Sequence, residues 1–489
     1  MRRFIKLIKE KWLKQTSLTL LLVVLILIVF IALNVFVQSL NINPIDFTKE
    51  KIYSLSDESK NEIRNIEQNV NIYFFGYSDS SSAIILGKQY ESCNPKIHVE
   101  VVSTSERPDL AAEYGVSTNS QLVAVSSSQR YKVIDASEMY TYDQTAGTSI
   151  DITEQKLTNA ILDVTISSKP QVYFLTGHGE YEISSQSAMY YLAQYIVNDV
   201  NDVSSLDLLT NEMPEQCDLL IIANPTKDFT EIETQRLQNY INNGGKIFWM
   251  QDPYINIQGY ESSNYPNINK ILSQYGISFS KGIVCEESSS NMVYSYPDLI
   301  IPELTYNNIV KDIYRDGKVV LCDTGRINNV SDEEMNKLNV TASPFMKSTE
   351  SSFYKETLSS SATYLQKESG DEQGSFILGE MLDKKIDDEH TSTLIAYANG
   401  FFATNYAVQL GNTSTYPITL RNNKDLLLNT VAYLTNREDS IRIRKETGLV
   451  AFLTATKTQD NIVRGVVFAF PIIIIIVGII ISIIRRRRK

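Results

Sequence analysis

The chain has 489 residues, 45 Lys and Arg against 57 Asp and Glu for a net charge of −12, and 43% hydrophobic residues. This length suits two or three domains, and an acidic body with no basic stripe outside the extreme ends argues against nucleic acid as a partner. Four cysteines without a CxxC make no disulfide framework, leaving one bridge or reduced buried thiols open, and three scattered histidines make no metal cluster.

Residues 1–17 form a basic tail, with Arg2, Arg3, Lys6, Lys9, Lys11 and Lys14 opposed by Glu10. Residues 18–37 are almost unbroken apolar sequence, and so are residues 466–484, followed by Arg485, Arg486, Arg487, Arg488 and Lys489. Each run is long enough to cross the roughly 30 Å hydrocarbon core as one helix. A cleaved signal peptide has an apolar region of about 7–15 residues and a small-residue cleavage site. Here the run is longer and leads into Gln38-Ser39-Leu40-Asn41. Short flanks rich in Lys and Arg stay cytoplasmic. Two transmembrane helices (18–37 and 465–484) in the cell membrane, both termini cytoplasmic and an extracytoplasmic body are therefore expected. The flanks carry +5 each, which leaves about −22 for the body.

Residues 41–150 predict a first α/β domain. A helix runs from Ser54 to Ile66 with Ser56 as N-cap. Strands follow at 70–75 and 97–102, then a helix at 108–115 and strands at 121–125 and 131–134. The order resembles a thioredoxin-like unit, although the absence of CxxC removes redox chemistry. Residues 151–438 predict a second domain. It opens with a helix over 152–165 that leads to Pro170, and then strands (171–176, 203–209, 218–223, 246–251) alternate with helices (184–197, 231–242, 268–275). Buried strands alternating with helices predict a doubly wound parallel sheet. Residues 319–323 and 393–397 are expected to add strands to that sheet, and 425–434 to form a helix. Residues 343–375 read as a polar insertion or loop, and 439–464 as a stem beside the membrane.

The loop Thr176-Gly177-His178-Gly179-Glu180 follows the first strand of this domain, where open α/β sheets bind ligands. Gly177 and Gly179 permit positive φ and close backbone approach, and His178 has the chemistry of an acid, a base or a ligand contact. The competing reading is a tight strand-to-helix turn in which His178 bonds a neighbouring loop. Asn224 and Asp252 end later strands on the same rim, and Asp252-Pro253 is also a common turn former. The expected ligand- or partner-binding rim is thus Gly177, His178, Gly179, Glu180, Asn224 and Asp252. No catalytic residue and no metal ligand is assigned. Thr226 is a poor nucleophile candidate and Cys217 precedes its strand, so nothing fills the place of a strained nucleophile elbow.

The order of these pieces resembles the GldG family, auxiliary components of ABC-type transport systems of the gliding-motility type. The resemblance rests on the N-terminal span with Ile45-Asp-Phe-Thr-Lys-Glu-Lys-Ile-Tyr-Ser-Leu-Ser56, on Glu154-Gln-Lys-Leu-Thr-Asn-Ala-Ile161 and on Val172-Tyr-Phe-Leu-Thr-Gly-His-Gly-Glu180. It continues through Asp218-Leu-Leu-Ile-Ile-Ala-Asn-Pro225, Asn243-Gly-Gly-Lys246, Asp425-Leu-Leu-Leu-Asn429 and the arginine-terminated C-terminal span. The sequence departs from the family pattern near Ser78 to Cys93 and in the tract 343–375. The resemblance implies a fold related to glutamine amidotransferases but non-catalytic, and partnership with a separate permease and ATPase.

No G-x-x-x-x-G-K-[ST] occurs, so any ATP hydrolysis belongs to another subunit and no cofactor is expected. The leading expectation is a non-enzymatic, membrane-anchored ABC auxiliary subunit whose body binds a substrate, a partner or a cell-envelope ligand. An extracytoplasmic hydrolase using the His178 loop and a structural envelope scaffold stand as alternatives.

Overall fold

A computed structural model describes residues 24–25, 27–32, 54–78, 81–143, 148–184, 186–253, 256–257, 265–311, 313–314, 318–358, 365–410 and 413–437. The chain divides into two units, Met1–Ser54 and Leu55–Lys489. In the first, residues 24–25 and 27–32 are helical within the first apolar run. Among the described residues no helix is long and apolar enough to cross a membrane. The rest of the first expected span, all of the second, the stem 439–464 and both basic tails lie outside the described residues.

The second unit begins with a helix, Asp57–Arg64, capped as expected by Ser56, whose side chain accepts from the Ser59 amide. A four-stranded sheet follows in the order Ile97–Val102, Val70–Phe75, Gln121–Ser126, Tyr131–Asp135, its first pair parallel and the others antiparallel. Between the first two strands in sequence lies a helix, Ser82–Cys93, that the sequence reading left unassigned. Its signal was present: Ser81 is the N-cap, and Ala83, Ile84, Gly87 and Tyr90 form its buried stripe.

The helix Thr153–Thr165, expected to open the second domain, packs against the first sheet. Its Leu157, Ala160, Ile161 and Val164 pack with Ile72, Phe74, Leu122 and Ala124 in the core of the first sheet. Its apolar face thus covers the sheet that precedes it in the chain.

That strand opens a parallel block in the order Asp202–Asp207, Gln171–Thr176, Leu219–Ala223, Ile247–Met250, Thr391–Tyr397. Side chains alternate between two cores. Phe174, Ile221, Phe248 and Ile395 pack with the helices Tyr190–Asn198 and Asn423–Leu434. Leu175, Ile222, Trp249 and Ala396 pack with Glu231–Asn242 and Pro266–Leu272. Helices on both faces explain why these strands read as continuous apolar runs. The fold is mixed α/β with a parallel sheet.

Two local expectations need correction. Leu321–Cys322 does not join this sheet; it pairs with Tyr296–Ile300 in a separate three-stranded sheet. The tract 343–375 is largely structured where it is described. Val340–Lys347 is an eight-residue strand on Ile377–Lys385, and Ser352–Lys355 pairs with Ile283–Glu286. Short apolar pairs, buried Phe345-Met346 and Phe353-Tyr354, anchor strands whose remaining residues are polar. Residues 359–364 of that tract lie outside the described residues.

Candidate functional site

In chain order the parallel block reads 2-1-3-4-5, so the direction of winding reverses between Gln171–Thr176 and Leu219–Ala223. That is the topological switch point at which such sheets bind ligands. The loops leaving these two strands are Gly177 to Glu180 and Asn224 to Thr226. They are stitched together: the amides of Thr226 and Lys227 donate to the His178 carbonyl at 2.8 and 3.0 Å, and Tyr181 N–H donates to the Ala223 carbonyl at 2.9 Å.

His178 is buried, only 7% exposed. Its Nδ1 lies 3.1 Å from Glu180 Oε1, and its Nε2 lies 3.1 Å from Glu233 Oε2. Its backbone N–H donates to Glu180 Oε2 at 2.6 Å. Ionised carboxylates only accept, so two of them facing the two ring nitrogens favour the doubly protonated imidazole. Burial opposes this charge, but the bonds and charges of Glu180 and Glu233 outweigh it and raise the pKa. The Phe229 ring meets the imidazole edge-on at 4.9 Å. Both glycines adopt positive φ, +117° at Gly177 and +76° at Gly179.

Glu233 is the residue the sequence reading missed. It is the third residue of the helix Glu231–Asn242, where it completes a capping box with Thr230. Its Oε2 accepts from Thr230 N at 2.8 Å and Thr230 Oγ1 at 2.7 Å as well as from His178. The signal was Thr230-x-x-Glu233 at the start of the helix that follows the third strand. A capping glutamate normally spends itself on its own helix; here it also reaches a side chain from the first strand's loop.

Asn224 and Asp252 form a second group. Asn224 takes the left-handed conformation, φ +57°, and its Oδ1 accepts from Gln251 Nε2 at 2.9 Å and Asp252 N at 3.2 Å. Asp252 accepts from Tyr181 OH at 2.6 Å and from the amides of Gly400 and Phe401 at 2.7 and 2.9 Å. Burial raises its pKa against the pull of these donors. Tyr181 links the groups, since its backbone follows Glu180 and its hydroxyl ends on Asp252. Beyond it the rim presents aromatic surface: Tyr406 meets Tyr181 edge-on at 6.1 Å and stacks on Phe401 at 6.4 Å.

Thr226 turns its hydroxyl toward the carbonyls of His178 and Gly179, at 3.3 and 3.5 Å. Cys217 lies before its strand, and burial pushes its thiol up to about 11, away from the reactive thiolate. All four cysteines are free. Cys217 lines a pocket of about 470 Å³ at the opposite end of the sheet, where Arg236 is already paired with Glu212. The rim can therefore present a rigid aromatic and polar surface. Its histidine has neither ring nitrogen free to take a proton.

The matched family lies across this rim. Residues 169–298 match the model of a family described as an ABC-type uncharacterized transport system. The match supports an auxiliary component of an ABC-type transport system, and it spans every residue of the expected rim. Among solved structures the chain is similar to the mmIFT52 N-terminal domain, with 14% identity, a TM-score of 0.38, and coverage of 54% of this chain and 97% of that one. It is also similar to ThuA-like proteins from Bacteroides uniformis and Parabacteroides merdae. These share 12% and 11% identity, with TM-scores of 0.32 and 0.31; each alignment covers 55% of this chain, and 93% and 90% of theirs. No curated protein matches the chain.

Proposed function

We propose that this chain is a membrane-anchored auxiliary subunit of an ABC-type transport complex, of the GldG type. Its body lies outside the cytoplasm, both termini lie inside, and a separate permease and ATPase complete the machine. The match of residues 169–298 to the ABC-type transport family carries the reading. The two apolar runs and the absence of a nucleotide-binding motif agree with it. The body acts by binding rather than by catalysis. A hydrolase built on His178 needs a ring nitrogen able to accept a proton from a nucleophile, and here both nitrogens face carboxylates.

Gentle solubilisation of native membranes followed by affinity purification of the full-length chain tests the proposal. A multi-span permease and an ATPase should co-purify. Recovery of the chain alone, under conditions that keep other ABC assemblies intact, removes the transport-subunit reading.

A further inference from the structure

The end of one helix of the body is tied to a strained turn at the end of another. The helix Asn423–Leu434 closes in a Schellman motif with Asn436 at φ +56°. The Asn436 N–H donates to the Tyr433 carbonyl at 3.1 Å, and the Arg437 N–H donates to the Ala432 carbonyl at 2.8 Å. This fixes the backbone at Arg437, after which the sequence runs on into the expected stem and second span. The guanidinium crosses to the turn after the helix Tyr190–Asn198. Its Nη1 donates to the carbonyls of Asp199 and Val200 at 2.7 and 3.0 Å.

That turn carries two unfavourable features. Val200 adopts φ +61°, the left-handed position after a helix that glycine ordinarily takes. A β-branched side chain resists this conformation. Asn201 caps the same turn through its side chain, with Nδ2 donating to the carbonyls of Ile196 and Asp199 at 3.0 Å each. Its Oδ1 is buried and, among the described residues, has no hydrogen-bond partner. The turn is thus held in a conformation it does not favour alone, and Arg437 supplies the hold. Asn159, in the helix Thr153–Thr165 that covers the first sheet, donates to the Asn198 carbonyl at 2.8 Å, so the turn lies where helices of the two sheets meet.

We propose that Asp199–Asn201 is a two-state turn latched by Arg437, and that displacement of the stem withdraws the arginine and lets the turn relax. The helix Tyr190–Asn198 carries the change to the rim, where its Tyr191 N–H donates to Asn405 Oδ1 at 3.2 Å, next to Tyr406. The coupling to the stem rests on the transport-subunit reading; the latch does not.

Hydrogen exchange in the full-length chain tests the latch. Arg437→Gln should speed exchange of residues 196–201 about tenfold, while the core strand Leu219–Ala223 keeps its protection. Adding Val200→Gly should return most of that loss, because glycine holds a left-handed turn without help. Unchanged exchange in Arg437→Gln overturns the latch. A further rise on adding Val200→Gly overturns the two-state turn, since the buried valine side chain and not strain would then govern it. If Arg437→Gln also unprotects Leu219–Ala223, Arg437→Lys, which keeps one charged donor, is compared instead with the same expectations. Coupling is read in the purified complex, where ATP should change exchange at 196–201 in the parent and not in the arginine variant. A complex of chain, permease and ATPase without that response overturns the coupling. Failure to find those partners overturns the transport-subunit reading and leaves the latch to be judged by the variants alone.

Discussion

His178 Nε2 stands 3.1 Å from Glu233 Oε2, joining the loop of the first parallel strand to the capping turn that follows the third. With Glu180 on the other nitrogen, the switch point where this topology would seat a ligand holds an imidazole between two carboxylates. Removing the imidazole would leave two buried acids, 6% and 1% exposed, facing an empty place. His178→Ala should therefore cost about 3 kcal/mol or more, as breaking one side of a buried ion pair does. The folded-state pKa of His178 is raised. The stabilisation is then full below the unfolded value of about 6.5 and is lost as pH rises through the folded value. Amide hydrogen exchange in residues 177–180, corrected for intrinsic rates, should speed up from pH 6 to pH 9. Protection independent of pH would show that the clasp is not ionic.

Gly179 is required for two separable reasons. Its φ of +76° is one that side chains resist, and a Cβ there would overlap Thr226 Oγ1. Gly179→Ala should cost about 2–3 kcal/mol, of which about 1 is backbone conformation. Pairing it with Thr226→Ala should recover the overlap and leave the conformational part. Thermal midpoints of the two single variants and the double variant separate the contributions. Simple additivity would mean that the two residues do not meet.

The parallel strands were legible because burial on both faces writes an uninterrupted apolar run, as in Leu219–Ala223 with every residue buried. The rim was legible as positions and not as bonds. Gly177, Gly179 and Asn224 advertise positive φ, but nothing local to His178 says that its second partner lies 55 residues on. The helix Thr153–Thr165 was legible as a helix, but an apolar stripe does not name the sheet it covers. The strands within 343–375 were hidden for a different reason. Each rests on one or two buried apolar residues among serines, threonines and lysines, too few to show a period of two.

Two distant sequence segments meet in the first domain's core. Ser56, at the end of the first stretch that resembles the GldG family, donates its N–H to Glu154 Oε1 at 2.7 Å, and Ser59 Oγ donates to the same oxygen at 2.6 Å. Glu154, 2% exposed, opens the second such stretch. Glu154→Ala should cost about 2–4 kcal/mol by stranding a buried amide and a hydroxyl, whereas Glu154→Gln, which keeps one acceptor oxygen, should cost about 1. The ordering of their thermal midpoints is the check. Equal losses would place the effect in the charge rather than in the hydrogen bonds.

Glu380 offers the opposite case, a buried acid that the fold tolerates at a cost. It has one hydrogen bond, from Asn329, and burial pushes its carboxyl up to about 7. A carboxyl whose folded pKa lies above its unfolded value favours folding while it is protonated. That advantage is complete below the unfolded value of about 4.3 and disappears as pH rises through about 7, where the buried group must ionise. Glu380→Gln retains the acceptor for Asn329 and never ionises. It should match the wild type near pH 5 and exceed its stability by about 2 kcal/mol above pH 8. Unfolding midpoints of both proteins across that range decide the point. If the two curves stay parallel with pH, the carboxyl reaches solvent or a counter-charge.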